Sequence, residues 1–320
     1  MIGIAGAGSF GTALAIALGR EGRRVTLWAR DPAQVAEMER TRRNEARLPG
    51  VDLPGNVTVT AEMGDLAAAD MVLLSVPMQS LRPLLAGPGR QLNGLPLVAC
   101  CKGIDLAALT GPSAILAACC PLSVAAILTG PSFAADIARG LPTALTLACA
   151  DDAASERLQA ALSTPVLRLY RSDDVLGAEL GGALKNVIAI AAGVVIGAGL
   201  GDSARAALMT RGYAEMLRLA TARGAKAETL AGLSGLGDLV LTCTSEQSRN
   251  FRFGLALGSG KGFDPSITVE GAATAKAVSD IAEKAGIDLP VTAMVAALIE
   301  GRLDLSTAMQ TLLSRPLKKE

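Results

Sequence analysis

The stretch MIGIAGAGSFG, Met1–Gly11, decides how the chain is read. MIGIA is a short apolar, β-rich run, and it passes directly into Gly6-Ala-Gly-Ser-Phe-Gly11, which opens the alanine-rich segment TALAIALGR. A strand, a glycine turn and a helix in immediate succession form the dinucleotide-binding pattern G-x-G-x-x-G. Gly6 permits the tight turn, Gly8 lets a pyrophosphate approach the backbone, and Gly11 lets helix pack closely on strand. The first turn of the helix then presents free N–H groups and the positive end of its dipole to the phosphates.

Outward from this stretch, the next β-rich run, RVTLW at 24–28, leads into Ala29-Arg30-Asp31. An acidic residue at that strand end would bond the ribose 2′-hydroxyl of NAD, whereas an arginine accommodates the 2′-phosphate of NADP. Arg30 comes first, which predicts that NADP is accepted and leaves NAD open; the plain alternative is a solvated surface charge. VTVT (57–60), MVLLSV (71–76), PLVAC (96–100), VAAIL (124–128) and TALTLACA (143–150) continue the β-rich series. Between several of them lie amphipathic stretches such as 9–21, 32–43 and 79–92, so a doubly wound α/β sheet of the Rossmann type is expected. Ligands bind such sheets outside the carboxyl ends of the strands, where Val76–Gln79 and Cys101–Gly103 fall. Lys102 is therefore either a crevice lysine or an ordinary loop lysine.

From about Asp173 the strand signals stop and alanine- and leucine-rich helical patterns take over. The expected division is a cofactor-binding domain over 1–178 and an all-α domain over 179–320, in keeping with about 100–200 residues per domain. Within the helical half, Glu179–Gly193 (ELGGALKNVIAIAAG) places Lys185 in an apolar run. A lysine there either snorkels its ammonium to water or is held desolvated for a purpose. Leu233–Ser245, LSGLGDLVLTCTS, reads as a loop, and Ser248-Arg249-Asn250 reads either as a capped helix start or as an anion grip.

Composition removes whole classes of function. Lys plus Arg and Asp plus Glu both number 30, so the formal net charge is zero and nothing in bulk draws nucleic acid or an anionic membrane. Half of the residues are hydrophobic but only 2% are aromatic, so the core must be built of Ala, Leu, Val and Ile. The six cysteines show no CxxC spacing and fit buried thiols in a reducing cytoplasm. The amino terminus has no basic n-region, and the longest apolar run, Val187–Gly201, is shorter than the roughly 20 residues of a membrane span, so neither a signal peptide nor membrane insertion is expected. There is no histidine at all, which leaves Lys, Asp, Glu, Tyr or Cys for proton chemistry; no metal site is expected.

Several segments together carry a resemblance. GAGSFGTALA at the start, NEARLPG (44–50), VPMQ (76–79), CKGI (101–104), GPSFAADIA (130–138), GALKNVIAIAAG (182–193), AALMTRG (206–212), GLGDLVLTCTSEQSRN (235–250) and VEG (269–271) occur in order through the chain. In these the chain resembles the bacterial NAD(P)-dependent sn-glycerol-3-phosphate dehydrogenases. The resemblance implies that Ser9, Phe10, Arg30, Ala134, Arg249 and Glu270 contact the cofactor and that Lys102 touches both cofactor and substrate. It implies further that Gly130, Ser132, Asp238, Ser248 and Asn250 line the glycerol phosphate site, with Asn186 and Thr242 beside it, and that Lys185 is the proton acceptor. Phe10 stands where tryptophan is frequent in the family, and Thr268 where valine is usual.

With histidine absent, a lysine can serve as base once its ordinary pKa of roughly 10.4 is lowered by burial and by a second cation. Lys102 approaching Lys185 from the sheet side would add that pressure, and Asp238 would orient Lys185. The expected reaction is interconversion of glycerol 3-phosphate and dihydroxyacetone phosphate with NAD(P), supplying phospholipid synthesis in the cytoplasm, by a homodimer. A dehydrogenase of hydroxy or sugar acids and a noncatalytic NAD(P)H sensor are the alternatives.

Overall fold

A computed structural model describes residues 1–305, 307 and 308. The expected helical pattern over 306 and 309–320 lies outside the described residues. The first half runs β1 (Ile2–Ala5), α1 (Ser9–Arg20), β2 (Val25–Trp28), α2 (Pro32–Thr41), β3 (Arg43–Asn44), β4 (Leu48–Asp52), β5 (Val57–Thr60), β6 (Met71–Leu74), α3 (Met78–Ala86), β7 (Leu97–Ala99), α4 (Pro112–Cys119), β8 (Ala125–Thr129), α5 (Ala134–Arg139), β9 (Thr143–Cys149), α6 (Asp152–Leu162) and β10 (Leu167–Ser172). Eight strands form one sheet in the order β10-β9-β8-β7-β6-β1-β2-β5. Every neighbouring pair is parallel except β8 with β9.

The two-residue period of the strands explains why helices cover both faces. Ile2, Ile4, Leu73, Val98 and Leu128 point into one apolar cluster with α1, while Ala5, Val72, Leu74, Ala99 and Ile127 point into another that contains Leu81 and Leu85 of α3. Chain progress reverses between β1 and β6, the switch point at which doubly wound sheets open a ligand crevice. The Rossmann-type sheet is thus as expected, with two additions. β10 is a half-buried edge strand: Leu167 and Leu169 point inward, while Arg168 and Tyr170 stay outside and stack on one another. Residues 43–52 close a small antiparallel hairpin, β3 with β4. The stretch 79–92 is also not one helix; α3 stops at Ala86, and Gly87-Pro88 starts a separate 3-10 turn.

The second half is helical: α7 (Val175–Gly197), α8 (Gly201–Ala222), α9 (Ala227–Ala231), α10 (Asp238–Cys243), α11 (Arg249–Gly258), α12 (Glu270–Ala285) and α13 (Pro290–Ile299). Leu233–Ser245, which reads as a loop, is mostly helix: residues 233–237 form one π-helical turn that runs into α10. Gly235 in this turn serves contact rather than flexibility, since a Cβ there would lie 2.0 Å from the Leu230 carbonyl. α7 has 23 residues and is long and apolar enough to cross a membrane, more than the run at 187–201 suggested, yet 89% of its most apolar window is buried within the fold.

Backbone contact fixes the neighbour of α7. Gly193 and Gly197 on α7 face Gly254 and Gly258 on α11, each pair spaced by three residues. A Cβ on Gly254 would sit 2.0 Å from the Ile190 carbonyl, and one on Gly193 2.1 Å from that of Phe251. The two helices therefore meet main chain to main chain. Gly254→Ala should force them apart and destabilise the protein by about 1–3 kcal/mol, as overpacking does, read as a lowered melting temperature.

Candidate active site

The glycine turn adopts the geometry its sequence demands. Gly6 has φ +119°, a value L side chains avoid, and a Cβ there would strike the Ser75 carbonyl at the end of β6. A Cβ on Gly11 would lie 2.0 Å from the Gly6 carbonyl, so only glycine brings α1 this close to β1. Gly8 faces open space and N-caps α1 with no side-chain hydrogen bond to that first turn. An uncapped helix start, a flat glycine turn and room in front of it suit a pyrophosphate, so the residues present fit a dinucleotide.

The β3–β4 hairpin closes over this turn. Buried Asn44 donates from Nδ2 to the Ala7 carbonyl at 3.0 Å and to Thr12 Oγ1 at 2.7 Å, and Ser9 Oγ donates to the Arg47 carbonyl at 2.5 Å. Asn44 was absent from the residues singled out in the sequence; a buried amide 32 residues from Thr12 leaves no local signal. Phe10 and Ala134 pack together with the core on this side of the sheet. Arg30 is exposed, while Asp31 turns its carboxylate to the start of α2 and accepts from Ala33 N at 2.9 Å. At the strand end the carboxylate is thus a helix cap and the guanidinium is the group left facing solvent.

Where β7 and β8 end, the two halves meet. Lys102 Nζ donates to the Gly130 carbonyl at 2.9 Å and to Asp238 Oδ2 at 2.5 Å. Lys185 Nζ, on α7, donates to Asp238 Oδ1 at 2.9 Å and to Thr242 Oγ1 at 2.6 Å. One carboxylate from α10 therefore bridges a lysine of the sheet half and a lysine of the helical half. Lys185 does not snorkel: its side chain is 8% exposed, against 17% for Lys102. Gly181 and Gly182 make this meeting possible, since a Cβ on Gly181 would strike the Ser234 carbonyl and one on Gly182 the Thr129 hydroxyl, with the Lys102 stem beyond. Gly130 has φ +133°, and its carbonyl also accepts from Ser132 Oγ at 3.2 Å.

Charges inside this cluster oppose one another. Burial pushes the Lys185 ammonium down to about 8; Asp238 resists that fall and Lys102 adds to it. Burial alone would raise the Asp238 carboxyl, but the Lys102 and Lys185 ammonium groups outweigh it and hold the group below its ordinary value.

The S248-R-N250 segment combines its two possible meanings. Ser248 Oγ accepts from Phe251 N at 3.2 Å and so N-caps α11. Asn250 is a brace: its Nδ2 donates to Asn186 Oδ1 at 2.9 Å, and its Oδ1 accepts from Gly271 N at 2.9 Å, tying α11 to α7 and to the start of α12. Its amide oxygen and one amide hydrogen are therefore engaged within the protein, and its second amide hydrogen is the one left to offer a ligand. Arg249 alone projects outward, at the first position of α11. Glu270, which starts α12, accepts from Met78 N at 3.3 Å; burial raises its carboxyl, eased by that N–H and by Arg249.

A Rossmann sheet with a glycine turn open to a dinucleotide, and a desolvated lysine held by an aspartate where the sheet meets the helical half, fits a nicotinamide-dependent dehydrogenase. The family is more definite still. Residues 1–155 match the model of the NAD-dependent glycerol-3-phosphate dehydrogenase N-terminus and residues 174–310 that of its C-terminus. The chain belongs to this family. It is 67% identical over 320 residues to the glycerol-3-phosphate dehydrogenase [NAD(P)+] of Cereibacter sphaeroides, covering 100% of both chains. It is 61% identical to that of Roseobacter denitrificans, covering 100% of this chain and 99% of the other. The crystal structure of glycerol-3-phosphate dehydrogenase from Coxiella burnetii superposes with a TM-score of 0.93 at 37% identity, over 98% of each chain.

Asp238→Asn removes the charge that sustains the Lys185 ammonium against burial. Lys185 should then titrate below its value of about 8, as followed by NMR of the lysine side chains in isotope-labelled protein.

Proposed function

We propose that the chain interconverts sn-glycerol 3-phosphate and dihydroxyacetone phosphate with NADP or NAD, Lys185 moving the proton. The observation that carries this reading is the bridge Lys102–Asp238–Lys185, with Lys185 buried at the meeting of the two halves. Bound in the crevice, the nicotinamide supplies the hydride acceptor or donor. The rest of the chemistry belongs to this chain. A neutral amine has two N–H groups and one lone pair. With Asp238 and Thr242 accepting the two hydrogens of Lys185, the lone pair is aimed away from both, toward the crevice. There it takes the proton of the C2 hydroxyl as the alcohol is oxidised. In the opposite direction the ammonium points its third N–H at the carbonyl oxygen and stabilises the developing alkoxide.

Thr242 and Asp238 fix the amine, and Lys102 keeps a cation within reach of the reacting oxygen. Arg249 offers its guanidinium to the substrate phosphate or the cofactor, and Ser132 and the Asn186–Asn250 pair would line the same substrate. Gly6, Gly8, Ser9, Phe10, Gly11 and Ala134 would hold the dinucleotide, and Glu270 would close it in from α12. The division expected after residue 178, which falls in the first turn of α7, leaves most of the cofactor to the sheet half, while the helical half brings the base together with Arg249 and Glu270. The biological setting in this reading is the cytoplasm, with glycerol 3-phosphate supplied to phospholipid synthesis, and the free state of all six cysteines suits a reducing compartment. α7 belongs to the core and not to a membrane, and two copies of the chain pair through the helical half.

The sign of the pH dependence follows from the role of the amine. Oxidation needs it neutral, so the oxidation rate should rise with pH through about 8 and level off, whereas reduction should decline above about 8. In Lys185→Ala, kcat should fall by ~10²–10⁴ with cofactor affinity retained, and the inflexion should vanish. Retained turnover would remove Lys185 from the mechanism. Arg30→Ala should raise KM for NADPH roughly tenfold or more while sparing NADH, measured in parallel steady-state assays; equal loss with both cofactors would dismiss Arg30 as the phosphate reader.

A further inference from the structure

Glu179 lies on α7 six residues before Lys185, about 9 Å along the helix axis, and none of the chemistry above uses it. Its carboxylate is buried, 7% exposed, at a position where a leucine or methionine would cost no desolvation. Packing does not call for it either, since a cavity of about 200 Å³ opens beside it, shared with Leu180, Leu219 and Arg223. Burial raises its carboxyl, and Ser113 and Arg223 ease that rise.

What the carboxylate touches is the start of α4. Glu179 Oε2 accepts from Ser113 N at 3.0 Å, and a Cβ on Gly111 would lie 2.4 Å from Oε1, so Gly111 is glycine to admit it. α4 has no side-chain cap of its own; Glu179 caps it from another helix. The chain between Lys102 and Gly111 is stiff. Asp105 N donates to the Thr110 carbonyl, Leu109 N to the Asp105 carbonyl, and Asp105 Oδ2 accepts from Ala108 N. Gln79 clasps the outside of the loop through the Ile104 carbonyl and Leu106 N, and Leu109 is held at φ +53°. These bonds link the chain from its far end, at Glu179, most of the way back to Lys102.

We propose that Glu179 is a positioning residue for the reaction: by fastening the Lys102 loop to the helix that carries Lys185, it sets the separation of the two lysines that Asp238 bridges. This rests on the proton-transfer role of Lys185 given above. The fold holds its own control. Glu215 on α8 is likewise buried and accepts from Val291 N, Thr292 N and Thr292 Oγ1, capping α13, away from the Lys102–Asp238–Lys185 bridge in its hydrogen bonding. Both carboxylates cap a helix that starts with proline, so their loss removes the same kind of support.

The experiment compares pH profiles of glycerol 3-phosphate oxidation and thermal melts for wild type, Glu179→Ala, Glu179→Gln and Glu215→Gln. The titratable groups that face Lys185 are Asp238, Lys102 and Cys243, and the last, pushed up to about 12 by burial, stays a neutral thiol throughout. If Lys102 drifts outward, Lys185 loses a like charge and keeps more of Asp238 to itself, and both changes favour the ammonium. In Glu179→Ala the inflexion should therefore move up by roughly half a unit. A misplacement of about 1 Å should also lower kcat by up to about 100-fold. Glu179→Gln, whose amide oxygen still accepts from Ser113 N, should recover most of kcat and return the inflexion toward wild type. Glu215→Gln should lower the melting temperature with both kinetic readouts unmoved.

An unshifted inflexion with wild-type kcat in Glu179→Ala overturns the proposal, and so does an equal kinetic change in Glu215→Gln. Should Glu179→Ala fail to fold, Glu179→Asp takes its place, because a carboxylate withdrawn by one methylene stretches the contact to Ser113. The same upward shift is then expected, and its absence overturns the proposal. A wild-type inflexion near 8 that survives in Lys185→Ala would remove the proton-transfer role itself, whereas one that persists unmoved in Glu179→Ala removes only the role of Glu179.

Discussion

Asp238 sits where two ammonium groups from opposite halves of the protein meet, and much of the structure exists to make that meeting tolerable. Bringing Lys185 into an alanine and valine interior costs hydration that only a close anion can offset. Asp238 offsets it for two lysines at once, which is why neither its burial nor theirs is independent. The balance is left deliberately incomplete in a physical sense: one carboxylate cannot fully compensate two cations. Burial lowers Lys185 into a range where it exchanges a proton readily, and the part of the Lys102 charge that Asp238 leaves uncompensated adds to that fall.

Around this cluster the fold supplies stiffness by several separate means. Glycines at 181 and 182 allow α7 to press against the Ser234 carbonyl and Thr129, so the Lys185 backbone cannot retreat. The Asn186–Asn250–Gly271 chain ties three helices together one residue beyond Lys185. Asn44 does the same for the phosphate turn, where its amide joins the hairpin to the Ala7 carbonyl and Thr12. Each device places an amide or a bare Cα at a point where two elements converge, which keeps the lysine cluster and the glycine turn on well-supported main chain.

Much of this was legible in the sequence, for identifiable reasons. Gly6 meets a local demand of dihedral angle and Gly11 one of clearance, which residue type expresses directly. Lys185 was conspicuous because charge in an apolar run is a local contradiction. Asn44 and Glu179 were not, although they begin NEARLPG and ELGGALKNVIAIAAG, because the partners that give them a role lie 32 and 66 residues away in the chain. The 233–245 segment misled for a related reason: glycine reports either freedom or crowding, and the distinction lies in what stands opposite, here the Leu230 carbonyl. β10 escaped notice because its outward face carries Arg168 and Tyr170, which an edge tolerates and a central strand would not.

The glycine seam between α7 and α11 has an outcome for how this protein can diverge. Spacing across that seam is dictated by carbonyl against Cα, with no side-chain volume in between. Exchanges of valine, isoleucine or leucine elsewhere in the helical half can therefore accumulate while the carboxamide pair of Asn186 and Asn250 keeps its reach, because its ruler is the peptide unit. Such a scaffold lets its interior drift in composition and holds its working atoms still.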